Sequence, residues 1–190
     1  RRPHVTTIHV SLSDYRDTPP ALRRLYRIVE SWSSRITRRF TCVSKAMAAD
    51  TRKLGIASDK ITVIHNGIDP ERFSRAFDVE AIKLKIGITG RSPIIGTVGR
   101  LVPEKGQIDL IRALPALKTG FPDLACLFVG EGPLLADLKR EATTAGVADM
   151  CRFIGPVDEI EGIYAVLDLF VLPSVREPFG LAALEAMASG

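Results

Sequence analysis

The spacing of hydrophobic and polar positions changes period repeatedly along the chain, and the changes divide it into elements. Val5–Val10 (VTTIHV) is rich in β-branched residues and reads as a strand. After Pro19-Pro20, the residues Leu22, Leu25, Ile28, Val29, Trp32 and Ile36 recur at helical spacing, which predicts a helix over Ala21–Phe40. Phe40–Val43 reads as a short strand, Ser44 as the N-cap of a helix over Lys45–Leu54, and Lys60–Ile64 as another strand. Asn66-Gly67 has turn chemistry, and residues 68–92 are polar and irregular apart from a short helix over Val79–Ile86. From there the alternation is regular. Strands are expected at Pro93–Val98, Leu124–Val129, Cys151–Ile154 and Leu167–Leu172, and helices at Lys105–Leu117, Pro133–Ala145, Ile160–Val166 and Phe179–Ser189. Near-continuous apolar strands alternating with helices indicate an α/β fold with parallel sheets covered on both faces. The pattern separates residues 1–67, a linker at 68–92, and residues 93–190.

Composition narrows this picture. At 190 residues and 46% hydrophobic, the chain can form one domain or two small ones with real cores. No apolar run approaches the length needed to cross a bilayer. The three cysteines, Cys42, Cys126 and Cys151, lie in strand-like runs without metal-ligand spacing, which predicts buried free thiols in a reducing compartment. Charge is uneven: residues 1–60 hold 13 basic and 5 acidic side chains, residues 61–190 hold 13 and 17. The excess concentrates in Ala21–Phe40, with Arg23, Arg24, Arg27, Arg35, Arg38 and Arg39 against Glu30. Two readings stand open for that segment: a core-packing helix with a solvated basic face, or peripheral contact with an anionic membrane surface. No aromatic stacking pattern accompanies the charge, so nucleic acid is not expected as a partner.

Ligands of such sheets bind outside the carboxyl ends of the strands, and the candidate residues fall there. Gly99-Arg100 follows one expected strand, Gly130-Glu131-Gly132 the next, and Pro173–Phe179 the last. Arg100 and Lys105 beside Gly99, facing a helix that starts near Gly180, suit a diphosphate; Glu131 is either part of the pocket or a solvated turn residue. No DxD carboxylate pair lies near this rim, so no metal site is expected. The last helix is apolar all round except for Glu185, which predicts a buried helix whose lone carboxylate meets a polar ligand. A glycosidase acid/base pair formed by Glu177 and Glu185 fits less well, because it needs no phosphate-binding loops. His9 ends the first strand of the basic half, with His4 and His65 as alternatives.

Four segments also resemble, in order, those of retaining glycosyltransferases of family four, which have the GT-B architecture. Ile64-His-Asn-Gly-Ile-Asp-Pro-Glu-Arg-Phe73 resembles the interdomain "NGID…F" segment, and Val98-Gly-Arg-Leu-Val-Pro-Glu-Lys-Gly106 the "GRL…KG" segment. Leu127-Phe-Val-Gly-Glu-Gly-Pro133 resembles the "VGxGP" turn, and Glu177-Pro-Phe-Gly-Leu-x3-Glu185 the E-x7-E motif. The resemblance implies two Rossmann-like parallel-sheet units of GT-B type, both incomplete in this chain, as in an internal slice spanning the acceptor and donor domains. It implies transfer of a sugar from a nucleotide-diphospho-sugar to a hydroxyl of a glycan or lipid-linked acceptor, with retention, no bound metal and no cofactor besides that donor substrate. A cytoplasmic enzyme at the inner face of the plasma membrane is the corresponding location. The positions matching Arg100 and Lys105 would hold the donor diphosphate, Glu185 the ribose hydroxyls and Glu177 the transferred sugar. Backbone amides at Phe179, Gly180 and Leu181 would assist, and His9 would face the donor sugar. A sugar phosphorylase of the same architecture and a non-catalytic nucleotide-binding module remain as alternatives.

Overall fold

A computed structural model describes residues 3–9, 19, 21, 22, 24, 25, 28, 32 and 36–190. The chain divides into two compact units, Arg1–Gly67 and Ile68–Gly190.

The first unit holds a parallel sheet in the order β1 (His4–Ile8), β2 (Thr37–Cys42), β3 (Ile61–Val63). Helix α1 (Lys45–Lys53) opens where expected: the Ser44 hydroxyl accepts from the Met47 amide at 3.1 Å, and Arg52 and Lys53 sit at the negative end of the helix dipole. Its buried Met47 and Ala48 pack on Cys42, with Ile8, Ile61 and Val63 around them.

Ala21, Leu22, Arg24, Leu25, Ile28, Trp32 and Ile36 are helical, but the expected helix does not reach Phe40. Thr37–Cys42 pairs with strands on both edges, and Thr37, Phe40 and Cys42 are buried. Ladder bonds on two sides outweigh a helical spacing that merely continues past Ile36. Leu25, Ile28, Trp32 and Ile36 are exposed, as are Arg24, Arg38 and Arg39. Arg23, Arg27, Glu30 and Arg35, which belong to the same expected basic helix, lie outside the described residues.

The second unit is built on a parallel sheet ordered β6 (Cys151–Gly155), β5 (Ala125–Val129), β4 (Ile94–Val98), β7 (Leu169–Phe170). Strand β5 is buried at all five positions because both of its faces are covered. On one face Cys126 and Phe128 meet Ile111 and Leu114 from the α3 region (α3, Gln107–Ala113) and Leu138 and Ala142 of α5 (Leu135–Thr144). On the other, Ala125, Leu127 and Val129 pack with Ile163 of α6 (Ile160–Ala165) and with Val79, Ile82 and Ile86 of α2 (Val79–Ile86). Alternate residues thus serve opposite layers, which is why the strand reads as a continuous apolar run. Residues 68–92 group with this unit, α2 supplying one of its layers.

Two helices differ from expectation. The stretch 105–117 is a 3₁₀ turn (Pro103–Lys105), then α3, then α4 (Pro115–Lys118), because Pro115 has no amide to continue α3. The last helix, α7 (Leu181–Ser189), has no buried residue, so the expectation of a buried helix is corrected. It contacts α6 and the turn at Pro70–Arg72, which cover one side, and Met187 is exposed on another. All three cysteines are free and buried in strands, and burial pushes the Cys126 thiol well up and that of Cys151 to about 11. No helix among the described residues is long and apolar enough to cross a membrane.

The turn at Pro70–Arg72 is tied to α6 by Arg72, whose Nε donates to Glu161 Oε1 at 2.8 Å; Glu161 is buried. A backbone hydrogen bond at Glu161 itself, and then Arg72, hold its carboxyl below the ordinary 4.5 against the opposing effect of burial. A depressed carboxyl stabilises the fold above its unfolded value, and that contribution is lost as pH falls through the folded value. Glu161→Gln is therefore expected to be less stable than the parent at pH 7 in urea unfolding. The difference should shrink as pH is lowered below 4.5.

Candidate functional site

Strand order fixes where a site can form in the second unit. From β4 the chain proceeds outward to β5 and β6 on one side, then returns to place β7 on β4's other edge. The order reverses between β4 and β7, and connections leave the carboxyl ends of these two strands in opposite directions, opening a crevice between them. The loop after β4 carries Gly99, Arg100 and Lys105; the loop after β7 carries Ser174, Glu177, Phe179 and Gly180.

The two loops meet across this crevice. Lys105 Nζ donates to Glu177 Oε2 at 2.6 Å, and Ser174 Oγ donates to the same oxygen at 3.1 Å. Both charged side chains are about three-quarters covered, at 24% and 21% exposed, so the pair is screened less than a surface ion pair. The Val175 amide donates to the Glu104 carbonyl at 3.0 Å. Gly106 makes this approach sterically feasible: its φ is +65°, and a β-carbon there would lie 2.2 Å from the Pro173 carbonyl oxygen.

The β4 loop is fixed from its other side by the β5 loop. Gly99 N donates to Val129 O at 2.9 Å, and Leu101 N to Glu131 O at 2.8 Å. Glu131 therefore contributes its backbone here, and its side chain is exposed. Buried Gln107 donates from Nε2 to the Arg100 carbonyl at 2.8 Å, and its Oε1 has no partner among the described residues. Held this way, Arg100 projects an exposed side chain that makes no ion pair among the described residues. Gly180, buried with φ +88°, precedes α7, and no side chain caps the helix. Two cations and an uncapped helix start on one rim form an anion-binding arrangement.

Arg100, Lys105, Gly99, Glu177, Phe179 and Gly180 are thus on the two loops that flank the strand-order reversal, with Leu181 opening α7 directly after them and Glu131 on the neighbouring loop. Glu185 differs from expectation. It is not left to a ligand alone, because buried Tyr164 donates its hydroxyl to Glu185 Oε2 at 2.8 Å. His9 lies in the first unit, exposed, one residue past β1. His4 Nδ1 pairs with Thr37 Oγ1 at 3.1 Å and His65 Nδ1 donates to the Val43 carbonyl at 3.1 Å, so both have structural partners. Sequence reasoning missed Ser174, Gln107 and Tyr164. Gln107 and Tyr164 were absorbed into helical periods, although a polar residue at an otherwise buried helix start is a usable signal.

Comparison with known proteins identifies the family and the fold. Residues 78–190 match the family model "Glycosyl transferases group 1", and residues 1–72 match "Glycosyltransferase Family 4". The chain is 34% identical to the 2-deoxystreptamine glucosyltransferase of Streptomyces kanamyceticus, over 99% of this chain and 51% of that protein. It is 35% identical to the lipopolysaccharide core biosynthesis mannosyltransferase LpsB of Rhizobium meliloti, over 84% and 46% respectively. Among solved structures it superposes on Anabaena Alr3699/HepE in complex with UDP and glucose with a TM-score of 0.86 at 25% identity, over 99% of this chain and 51% of that one. The chain spans about half the length of the curated relatives it matches.

The Gly106 contact can be weighed directly. Gly146 also has a left-handed φ, +69°, but a β-carbon there would meet nothing within 4 Å. Gly146→Ala should cost only the conformational penalty of about 1–2 kcal/mol. Gly106→Ala should cost more than that in urea unfolding, because the Pro173 carbonyl must also be displaced.

Proposed function

The chain belongs to the glycosyl transferases group 1 family and has the GT-B fold, and from that premise we propose that it is part of an enzyme that moves a sugar from a nucleotide-diphospho-sugar to an acceptor hydroxyl. The observation that carries this reading is the Lys105–Glu177 pair at the strand-order reversal. In a nucleotide sugar the diphosphate and the transferred ring are joined through one oxygen, so a site for both must set a cation beside a group that contacts sugar. The 2.6 Å contact between Lys105 and Glu177 supports that arrangement, with Lys105 as the cation and Glu177 as the sugar contact of this reading. The UDP and glucose held by the Anabaena relative support the same class of donor.

In this reading Arg100 and Lys105 bind the diphosphate, Arg100 through its planar fork and Lys105 as a point charge. Backbone amides at Phe179, Gly180 and Leu181 add the positive end of α7. Glu177 contacts the sugar and Glu185 the ribose hydroxyls. The bond between the anomeric carbon and the diphosphate oxygen breaks with its electron pair passing to the nucleoside diphosphate. The acceptor oxygen bonds to that carbon and passes its proton to the departing diphosphate, with net retention. Charge that develops on the leaving group is met by Arg100, Lys105 and the helix start rather than by a bound metal, a stabilisation largest as the bond breaks. A glycan or lipid-linked sugar is the proposed acceptor, in line with the lipopolysaccharide core pathway named for the Rhizobium relative. The cytoplasmic face of an anionic membrane is the proposed location, supported by the basic excess of residues 1–60.

Calorimetric titration with UDP-, GDP- and ADP-sugars tests the reading. One nucleotide series is expected to bind saturably, and Lys105→Ala to weaken it about tenfold or more, the scale of a lost charge-assisted hydrogen bond. Glu177→Ala should weaken the nucleotide sugar more than the bare nucleotide. Equal affinities in the parent and Lys105→Ala would remove the diphosphate assignment.

A further inference from the structure

Tyr164 is a buried residue whose polar group reaches the side chain of a residue assigned to the donor. It lies on α6, with 3% of its surface exposed, and its hydroxyl donates to Glu185 Oε2 across 2.8 Å. Its ring is held on two sides. Phe73 meets it edge-on with ring centres 5.9 Å apart, and Phe170 of β7 meets it tilted at 5.7 Å. Phe73, itself buried, ends the turn at Pro70–Arg72, which Arg72 ties to α6 through Glu161. The phenol therefore has little freedom, and its oxygen stays where the carboxylate of α7 can use it.

We propose that Tyr164 is a positioning residue for the donor nucleotide: its hydroxyl fixes one oxygen of Glu185, so that the other is presented to adjacent hydroxyls of a ribose. The inference rests on the ribose role given to Glu185 above. A carboxylate on a half-exposed helix otherwise samples several rotamers and loses that freedom on binding. A single donor at Oε2 selects one rotamer beforehand and leaves Oε1 as a strong acceptor. The phenol is a lasting donor, because burial first, and the adjacent Glu185 carboxylate second, raise its ionisation well above the ordinary tyrosine range. The selected ligand class is accordingly a ribonucleotide, discriminated from its deoxy forms because Glu185 Oε1 loses its hydroxyl partners when they are missing.

The test is calorimetry on the chain with UDP, ADP and GDP, then with the 2′,3′-dideoxy form of whichever binds the parent. Tyr164→Phe, Glu185→Ala and the double variant are compared with the parent, and thermal melts monitor folding. Tyr164→Phe is expected to weaken the ribonucleotide about tenfold, to leave the dideoxy form unchanged, and to add nothing on the Glu185→Ala background. 4-Aminophenylalanine at position 164, which restores an N–H donor, should recover the ribose preference. 4-Methylphenylalanine keeps the volume without the donor and replaces the phenylalanine variant if that one does not fold.

If Glu185→Ala loses ribose preference while Tyr164→Phe matches the parent, the positioning role is overturned and the donor reading stands. If Glu185→Ala also matches the parent, or no nucleotide binds the folded chain, the donor reading falls and takes the inference with it. Equal weakening of ribo and dideoxy forms by Tyr164→Phe would overturn the inference in favour of a general packing role.

Discussion

Parallel pairing of β4 with β5 on one edge and β7 on the other constrains everything else in the second unit. Parallel neighbours cannot be joined by a tight turn, so each connection must cross a face of the sheet and return to the starting end. The crossovers supply the helices that bury β5 on both sides, and they gather the loops after β4, β5 and β7 on one rim. Because β7 is added on the opposite edge from β5, the loops after β4 and β7 diverge, and the space between them is a product of topology. The chemistry of the chain is concentrated around that space.

Within it, contacts of very different length in sequence do the same work. Glu177 is reached by Lys105 from 72 residues away and by Ser174 from three residues away, and both converge on a single oxygen. Gln107 and Glu131 both hold the peptide between Arg100 and Leu101, and Val129 holds Gly99 on the other side, so the guanidinium projects from a loop that is itself anchored. Preorganisation of this kind lowers the ordering cost of binding, which matters more to affinity than the number of contacts.

Much of this was legible in the sequence. Ser44, the apolar run of β5, the span Val79–Ile86 and the rim placement of Gly99, Arg100, Lys105 and Glu177 all follow from local rules of capping, burial and strand order. What was not legible depends on partners distant in the chain. Thr37–Phe40 continues a helical period, and only pairing with β1 and β3 makes it a strand. The isolation of Glu185 within an apolar helix was visible, but its offset by Tyr164 was not. The tyrosine looks like one more apolar residue of α6 until the fold brings the two together. The exposed flank of α7 was misread for a related reason: composition reports what a helix could bury, while its neighbours decide what it does bury.

Cys42, Cys126 and Cys151 illustrate how a core property carries over to practice. With all three cysteines buried and two of the thiols shifted toward the neutral form, the native thiols of the folded chain are poor nucleophiles at neutral pH. A single cysteine engineered on a surface loop of each unit would be the preferred point of attachment for a fluorophore or spin label. The separation of the two units could then be followed spectroscopically during a donor titration, without first stripping native residues from the strands that hold the sheets together.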